Sequence, residues 1–150
     1  MKISIGADHK GYEKKQKVID YLTKKGIEVF DRGTDSTESC DYVDFANLVC
    51  DDVVKKEADY GILICGTGIG MSIAANKRKG IMCGKVDNYK EAKLTKEHNH
   101  ANVIAFSGSK SMLEIKDILD AYLSASNLTD EKYLRRIEKV KELEGRRKWH

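Results

Sequence analysis

Short apolar runs alternate with amphipathic stretches along the whole chain. The runs are rich in Ile, Val and Phe, which predicts five strands, at 2–7, 27–30, 60–64, 80–86 and 102–106. Apolar residues recur at helical spacing in the stretches that follow them, which predicts helices over 12–25, 42–56, 72–78, 89–97, 111–125 and about 130–144. This alternation favours an α/β fold in three layers (α/β/α), with a five-stranded parallel sheet and helices on both of its faces.

The length of the chain and the lack of a linker favour a single domain over residues 1–150. The net charge of +3 is too small to favour nucleic-acid binding. Basic residues are concentrated in a helical tail, about 129–150, where eight of them stand against five acidic residues. This pattern favours a small anion or an acidic face on a partner. Because the tail helix carries little apolar surface, we expect it to reach a partner subunit.

The cysteine pattern favours a reduced, cytoplasmic protein. Cys40, Cys50, Cys65 and Cys83 form no C-x-x-C pair, and the N-terminal "MKISIGADHK" carries no signal sequence. No apolar run approaches the ~20 residues of a membrane span, so we expect no membrane partner.

The segment "ILICGTGIGMSIAANK", residues 62–77, joins a buried-strand pattern to three closely spaced glycines. Ligands of parallel α/β proteins bind beyond the carboxyl ends of the strands, where this segment turns. The segment does not match a dinucleotide fingerprint, a Walker loop or the loop of a cysteine phosphatase. It is typical of a nest of backbone donors that holds an oxyanion or a phosphate.

Two interpretations stay open for each polar residue beside this nest. Cys65 is either a buried, inert thiol or a thiolate that acts as a base or nucleophile. Thr67 is either a turn residue or a catalytic donor. Asp8, which follows the first strand together with His9, either caps the next helix or handles protons.

Other candidate residues lie in the second half of the chain. His98 and His100 lack a third ligand at zinc-like spacing, so we expect no metal site. A hydrogen-bonded surface histidine and a proton donor beside a sugar ring are the two remaining interpretations of His98. Lys132 and Arg136 share one face of the tail helix, which is either solvated or a phosphate clamp.

Six segments form a pattern in chain order: "ADHKG", "DRGTDS", "DYVDFA", "CGTGIGMSIAANK", "HNHANVIAF" and "RRIEKV". Together they resemble the ribose-5-phosphate isomerase B family, which also includes allose-6-phosphate and galactose-6-phosphate isomerases. The resemblance covers almost the whole chain. It implies a Rossmann-like domain and an aldose–ketose isomerase that works without metal or other cofactor, through a cis-enediolate. It also implies a homodimer or a dimer of dimers with shared active sites.

Carried over by position, the resemblance implies roles for individual residues. Cys65 corresponds to the general base that moves a proton between C1 and C2, and His98, helped by Asp8, to the residue that opens the furanose ring. The implied cradle for the enediolate oxygen consists of Thr67 and the backbone of Gly66, Gly68, Ile69 and Gly70. The implied substrate contacts are Tyr42 and Asn99, and the implied phosphate ligands are His9 and Arg136.

Several positions depart from the family pattern. Lys132 and Tyr133 stand where the family has an arginine and a histidine, and Lys110 stands where an arginine follows the fifth strand. Met82 replaces a further arginine, and Val43 replaces a proline. Lysine binds phosphate as a point charge without the bidentate fork of arginine. We therefore expect Lys110 and Lys132 to bind phosphate, and we expect these changes to affect the choice of substrate.

Three functions follow from these residues. The first is interconversion of ribose 5-phosphate and ribulose 5-phosphate. The second is isomerisation of a six-carbon sugar 6-phosphate, because the altered residues resemble the galactose-6-phosphate branch, which can require two different subunits. The third is a catalytically silent sugar-phosphate-binding subunit. The joint presence of Cys65, Thr67, Asp8 and His98 argues against the third function, because a binding protein needs no base.

Overall fold

A five-stranded parallel sheet forms the centre of the structure, a computed structural model that describes residues 1–146. Its strands are β1 (Lys2–Ala7), β2 (Glu28–Asp31), β3 (Tyr60–Cys65), β4 (Cys83–Lys85) and β5 (Val103–Ser107). Their order in the sheet is β2-β1-β3-β5-β4, and all neighbouring pairs are parallel. The prediction of an α/β fold with a parallel sheet is confirmed. Residues 147–150 of the predicted tail lie outside the described residues.

Helices cover both faces of the sheet. They are α1 (Tyr12–Lys24), α2 (Tyr42–Val54), α3 (Ile69–Asn76), α4 (Tyr89–Asn99), α5 (Met112–Ser124) and α6 (Glu131–Glu142), and a 3₁₀ turn (Leu143–Arg146) follows α6. One apolar layer joins α1, α4 and α5 to the sheet, and a second layer joins α2 and α3 to its other face. Across residues 1–146, every helix is too short or too polar to span a membrane.

Strand β3 contributes to both apolar layers. Ile62 and Ile64 face α1 and α5, whereas Leu63 and Cys65 face α2 and α3. Because a central parallel strand is buried on both faces, all of these positions are apolar, which explains the unbroken hydrophobic run in the sequence.

The helices that follow the neighbouring strands β1 and β3 lie on opposite faces of the sheet. Ala7 lies opposite Ile64 at the carboxyl ends of the two strands. The chain leaves β1 through α1 on one face and leaves β3 through α3 on the other face, which creates a crevice between the two loops. Gly11 keeps the first loop close to β3, because a side chain at this position would collide with the carbonyl oxygen of Ile64.

Two elements begin three residues away from their predicted starts. Helix α3 begins earlier, at Ile69, because Gly68 adopts a left-handed conformation (φ +83°) that starts the helix directly after it. Strand β4 spans only Cys83–Lys85. Just before it, the backbone N–H of Met82 donates to the side chain of Asn102 at 2.9 Å, so a side chain takes the place of a strand partner for this N–H group.

The last helix, α6, packs against its own chain. The N–H of Leu128 donates to the carbonyl of Glu97 at 3.1 Å, which joins the segment before α6 to the end of α4. Ile137 is buried with 5% exposure, whereas Val140 on the same helix is 46% exposed. The helix is therefore amphipathic, and its contact with a partner subunit stays a prediction.

A buried carboxylate joins β1, α2 and the loop after β2. Asp52 is 4% exposed and accepts hydrogen bonds from Ser4 Oγ at 2.7 Å and from Arg32 Nε at 2.6 Å. Burial raises the pKa of Asp52, but the hydrogen bonds from Arg32 and Ser4 outweigh burial and bring that pKa below its ordinary value of 3.8. The charge of Asp52 therefore stabilises the folded protein.

We expect Asp52→Asn to lower the free energy of unfolding at pH 7 by about 1–3 kcal/mol, because Arg32 and Ser4 lose a charged acceptor. A carboxylate with a lowered folded-state pKa stabilises the protein above the unfolded-state pKa. That contribution disappears as the pH falls through the folded-state pKa. The difference between variant and wild type should therefore shrink below about pH 4, as measured by urea unfolding at a series of pH values.

The exposed Asp117 on α5 provides the matched control. Asp117→Asn should change the free energy of unfolding by less than about 0.5 kcal/mol at every pH. An Asp52→Asn effect that is constant from neutral to acid pH would contradict the role assigned to its charge.

Candidate active site

The thiol of Cys65 lies at the carboxyl end of β3, beside the crevice. Cys65 is 5% exposed, and its Sγ accepts a hydrogen bond from the backbone N–H of Gly68 at 3.1 Å. Gly68 immediately precedes α3, so this donor belongs to the N-terminus of that helix. An added Cβ at Gly68 would lie 2.9 Å from backbone atoms of Phe106. The left-handed φ and this close contact both require glycine.

The loop after Cys65 is tied to the neighbouring strand. Ser107 Oγ, at the end of β5, donates to the carbonyl oxygen of Gly66 at 2.6 Å. Thr67 Oγ1 accepts a hydrogen bond from the N–H of Ile69 at 3.1 Å, which is the turn role considered for this residue. Thr67 is nevertheless exposed, so its hydroxyl remains accessible to a ligand.

Asp8 organises the loop between β1 and α1. Its Oδ1 accepts hydrogen bonds from the backbone N–H groups of Lys10 at 2.9 Å and Gly11 at 3.1 Å. These bonds close the turn before α1, whose N-cap is Gly11 and receives no side-chain hydrogen bond, so the capping interpretation of Asp8 is wrong. The second oxygen, Oδ2, makes no hydrogen bond to any residue between 1 and 146, which leaves it available to a ligand.

Two more predicted site residues, His9 after β1 and Tyr42 at the start of α2, lie beside the loops already described. The N–H of Cys40 donates to His9 Nδ1 at 3.3 Å, so the neutral ring of His9 carries its proton on Nε2, an assignment that follows from this hydrogen bond. The ring of Tyr42 packs on Gly70, where an added Cβ would lie 2.8 Å from Tyr42 Cζ. Tyr42 thus forms a wall beside the glycine nest.

Lys10 is a site residue that the sequence analysis did not single out. Its side chain lies beside Gly66, at the start of the glycine nest: an added Cβ at Gly66 would lie 3.0 Å from Lys10 Cδ and 4.0 Å from Lys10 Nζ. The ammonium group makes no ion pair or hydrogen bond within the described part of the chain. The signal in the sequence was its place directly after Asp8 and His9.

A second group of predicted residues surrounds a separate pocket of about 230 Å³. His98 and Asn99, from the last turn of α4, line this pocket together with Arg136 from α6. The ring of His98 stacks on the ring of Tyr133, with centroids 4.5 Å apart and planes 11° apart. Lys132 Nζ lies 4.9 Å from the centroid of Tyr133, so Lys132 belongs to the same neighbourhood.

The two groups lie at opposite edges of the sheet. Cys65 is paired with Ser107, the last residue of β5, whereas His98 precedes Val103, the first residue of β5. A strand of five residues spans about 13 Å. One chain therefore does not bring His98 to Cys65. We call Asp8, His9, Tyr42 and Cys65 to Gly70 the carboxyl-edge group, and His98, Asn99, Lys132 and Arg136 the amino-edge group.

Lys110 lies at the same edge as Cys65 but is directed away from it. Its Nζ is 3.9 Å from Asp87 Oδ1 in the loop after β4, and β5 separates β4 from β3. A hydrogen bond from Lys85 lowers the pKa of Asp87, and the charge of Lys110 adds to this effect. A phosphate that binds Lys110 must therefore compete with the Asp87 carboxylate.

Cys50 on α2 is a second buried thiol. Burial raises the pKa of Cys50 to about 11, so that thiol stays neutral at physiological pH. Within residues 1–146, no three side chains of His, Cys, Asp or Glu are grouped so that they would hold a metal ion.

Comparisons with known proteins show which sequences this chain is similar to. A family model described as Ribose/Galactose Isomerase matches residues 3–140. Ribose-5-phosphate isomerase B of Escherichia coli is 42% identical over 147 residues, which cover 97% of this chain and 98% of that protein. The galactose-6-phosphate isomerase subunit LacB of Clostridium acetobutylicum is 40% identical over 126 residues, which cover 83% of this chain and 73% of that protein.

Solved structures show the same similarity. Ribose-5-phosphate isomerase B of Clostridium thermocellum superposes with a TM-score of 0.95 at 42% identity, covering 97% of this chain and 99% of that one. The corresponding enzyme of Mycoplasma genitalium, solved with bound ribulose-5-phosphate, superposes with a TM-score of 0.91 at 38% identity, covering 97% of both chains.

The turn at Gly68 can be tested by adding a single methyl group. We expect Gly68→Ala to lower the free energy of unfolding by at least about 2 kcal/mol, because a left-handed residue with a Cβ costs about 1–2 kcal/mol and the contact with Phe106 adds to it. Gly145→Ala is the control, since an added Cβ there has no neighbour within 4 Å among residues 1–146. Equal stability of the two variants in urea unfolding would contradict the tight turn.

Proposed function

The chain belongs to the ribose/galactose isomerase family, and from that premise we propose that it interconverts ribose 5-phosphate and ribulose 5-phosphate. The resemblance recognised in the sequence is thereby confirmed, and the protein is a sugar-phosphate aldose–ketose isomerase. The main observation in favour of the proposed mechanism is the position of the Cys65 thiol, whose Sγ lies 3.1 Å from the backbone nitrogen of Gly68 at the start of α3.

Isomerisation moves a hydrogen from C2 of the open-chain aldose to C1 and moves the carbonyl group from C1 to C2. A proton beside a carbonyl is a weak acid, so the base must act next to donors that stabilise the enediolate oxygen. Cys65 and the glycine nest are consecutive in the chain and meet this need. In our proposal, Cys65 removes the C2 proton and returns it to C1, while the proton of the C2 hydroxyl passes to the oxygen on C1.

The proposed cradle for the enediolate oxygen is the loop from Gly66 to Gly70. The exposed hydroxyl of Thr67 and the backbone N–H of Gly70 supply donors, because the N–H groups of Gly68 and Ile69 already bind Cys65 and Thr67. The helix N-terminus also favours negative charge there. The ammonium of Lys10 adds positive charge beside Gly66. The ring of Tyr42 closes the side next to Gly70 and limits the space for the sugar.

The phosphate would bind away from the reacting carbons. His9 offers an Nε2–H group, because its Nδ1 is occupied by Cys40. Lys110, Lys132 and Arg136 are the other proposed phosphate ligands. Binding energy from this remote group holds C2 against the base and so contributes to the rate.

We propose that each active site is shared between two copies of the chain, as a homodimer or a dimer of dimers. The amino-edge group of one copy would complete the carboxyl-edge group of the other, so that His98 opens the furanose ring with help from Asp8 Oδ2 of the other copy. Two features support this arrangement. The groups lie at opposite edges of their own sheet, and α3 exposes Ile69 and Ile73 at 53% and 56% beside the incomplete site.

A six-carbon sugar 6-phosphate is the second candidate substrate. It is favoured by the similarity to LacB and by the replacement of family arginines with Lys110, Lys132 and Met82. These replacements change the ligands of the phosphate and leave the proposed base and cradle in place.

The first test is ketose formation by the purified protein from ribose 5-phosphate, allose 6-phosphate and galactose 6-phosphate. We expect the pentose to react fastest, and we expect Cys65→Ala to lower kcat by about 10²–10⁴-fold, the usual contribution of a positioned base. Binding of a non-reacting phosphorylated sugar acid should persist in the variant. Cys50→Ala replaces an equally buried thiol and should keep turnover.

Each other outcome contradicts a different part of the proposal. Preference for a hexose phosphate would favour the six-carbon alternative. Binding without turnover of any of the three sugars would favour the silent subunit or a missing second subunit. Full activity of Cys65→Ala would exclude Cys65 as the base.

The shared site predicts complementation between two variants that each keep only a small residual activity. When Cys65→Ala and His98→Gln chains are mixed and allowed to exchange subunits, half of the dimers become mixed and each has one intact site. We therefore expect recovery of about a quarter of the wild-type rate. A double variant carrying both substitutions, mixed with Cys65→Ala, should recover nothing. Exchange without recovery in the first mixture would place the whole site within one chain.

A further inference from the structure

The ring of His98 is held by an aromatic stack instead of a hydrogen bond. The plane of this ring makes an angle of 11° with the ring plane of Tyr133, and the two ring centroids are 4.5 Å apart. Neither imidazole nitrogen bonds any residue within the described range 1–146. His9 and His100 differ, because each of them contacts a backbone group through one ring nitrogen, at 3.3 Å and 2.7 Å.

The segment that leads into the helix of Tyr133 is hydrogen-bonded to the end of α4. The backbone N–H of Tyr133 donates to the carbonyl of Asp130 at 3.0 Å in the first turn of α6. Leu128, just before that turn, donates to Glu97 at 3.1 Å and accepts from His100 at 2.7 Å. The stacking partner of His98 therefore belongs to a segment that is fastened to the helix that carries His98.

A stacked partner has a specific effect on an imidazole. It opposes rotation of the ring out of its plane, while both nitrogens, which lie at the edge of the ring, remain open to the pocket that Asn99 and Arg136 also line. A proton donor must keep its nitrogen within hydrogen-bond reach of the sugar ring oxygen, so the orientation of the ring limits the rate. A hydrogen bond to one nitrogen commonly supplies this orientation.

We propose that Tyr133 is the positioning residue for His98, and that its aromatic face holds the imidazole in the orientation that delivers a proton to the ring oxygen of the sugar phosphate. The inference rests on the proposed function, in which His98 opens the sugar ring. It assigns a purpose to the tyrosine that replaces the histidine of the family pattern.

Two substitutions separate the aromatic face from the hydroxyl of Tyr133. Tyr133→Leu fills space without a ring, and we expect it to lower kcat for ribose 5-phosphate about two- to tenfold, the range expected for one aromatic pair, with KM nearly unchanged. Tyr133→Phe keeps the stack and should stay within about twofold of wild type. Tyr89→Leu, at the other end of α4 where Tyr89 is 51% exposed, is the control and should have no effect.

A double-mutant cycle tests whether Tyr133 acts through His98. In a His98→Gln background, Tyr133→Leu should cause no further loss of kcat, because the ring that it positions is already absent. A further loss in that background, a fall of Tyr133→Phe to the level of Tyr133→Leu, or wild-type kcat in Tyr133→Leu would each overturn the inference. Tyr133→Met replaces Tyr133→Leu in the same comparison if the leucine variant does not fold.

A spectroscopic measurement separates this inference from the proposed function. The imidazole protons of His98, assigned by their loss in His98→Gln, should show an upfield ring-current shift in proton NMR spectra of the wild type and of Tyr133→Phe, and should lose it in Tyr133→Leu. If the wild type isomerises none of the sugar phosphates, the proposed function fails while these spectra still report on the stack. Unchanged His98 signals in Tyr133→Leu would overturn the inference whatever the activity of the wild type.

Discussion

The strands of a parallel sheet all begin at one edge, the amino edge, and all end at the opposite carboxyl edge. This constraint decides which residues of one chain can meet. Every strand ends at the edge that carries Cys65 and begins at the edge that carries His98. A reaction that uses both side chains in one site therefore needs a second chain, whose amino-edge group faces the first chain's carboxyl-edge group. In this proposal, association of subunits is part of the chemistry and is also a source of stability.

The carboxyl-edge group is organised mainly through the backbone. Gly68 is confined between the thiol of Cys65 and the backbone of Phe106, and Asp8 holds two N–H groups of the next loop with one of its oxygens. The donors proposed to stabilise the enediolate are therefore in place before substrate arrives, which is what electrostatic preorganisation requires. The same residues shape turns and, in the proposed site, face the substrate, so their substitution should change stability and activity together.

The local sequence pattern was sufficient to predict the sheet, but it was not sufficient to predict the contacts within the site. A buried parallel strand such as β3 leaves an apolar run that is visible in the sequence, and the glycines after it indicate a backbone nest. The contact between Cys40 and His9 joins residues 31 positions apart, and the contact between Lys10 and Gly66 crosses between two loops. Neither contact leaves a periodic signal. The start of α3 was missed because it depends on the left-handed φ of Gly68.

The proposed site, formed by the carboxyl-edge group of one chain and the amino-edge group of another, also indicates which residues could select between substrates. Five- and six-carbon sugar phosphates differ in the distance between the reacting carbons and the phosphate. An arginine fork fixes the phosphate in two directions, whereas a lysine on a flexible stem follows a displaced phosphate. If Lys110 and Lys132 bind the phosphate, these ligands select less strictly for the length of the sugar. In the proposed site, discrimination then depends on two rigid surfaces, the Tyr42 ring against Gly70 and the stacked pair of His98 and Tyr133.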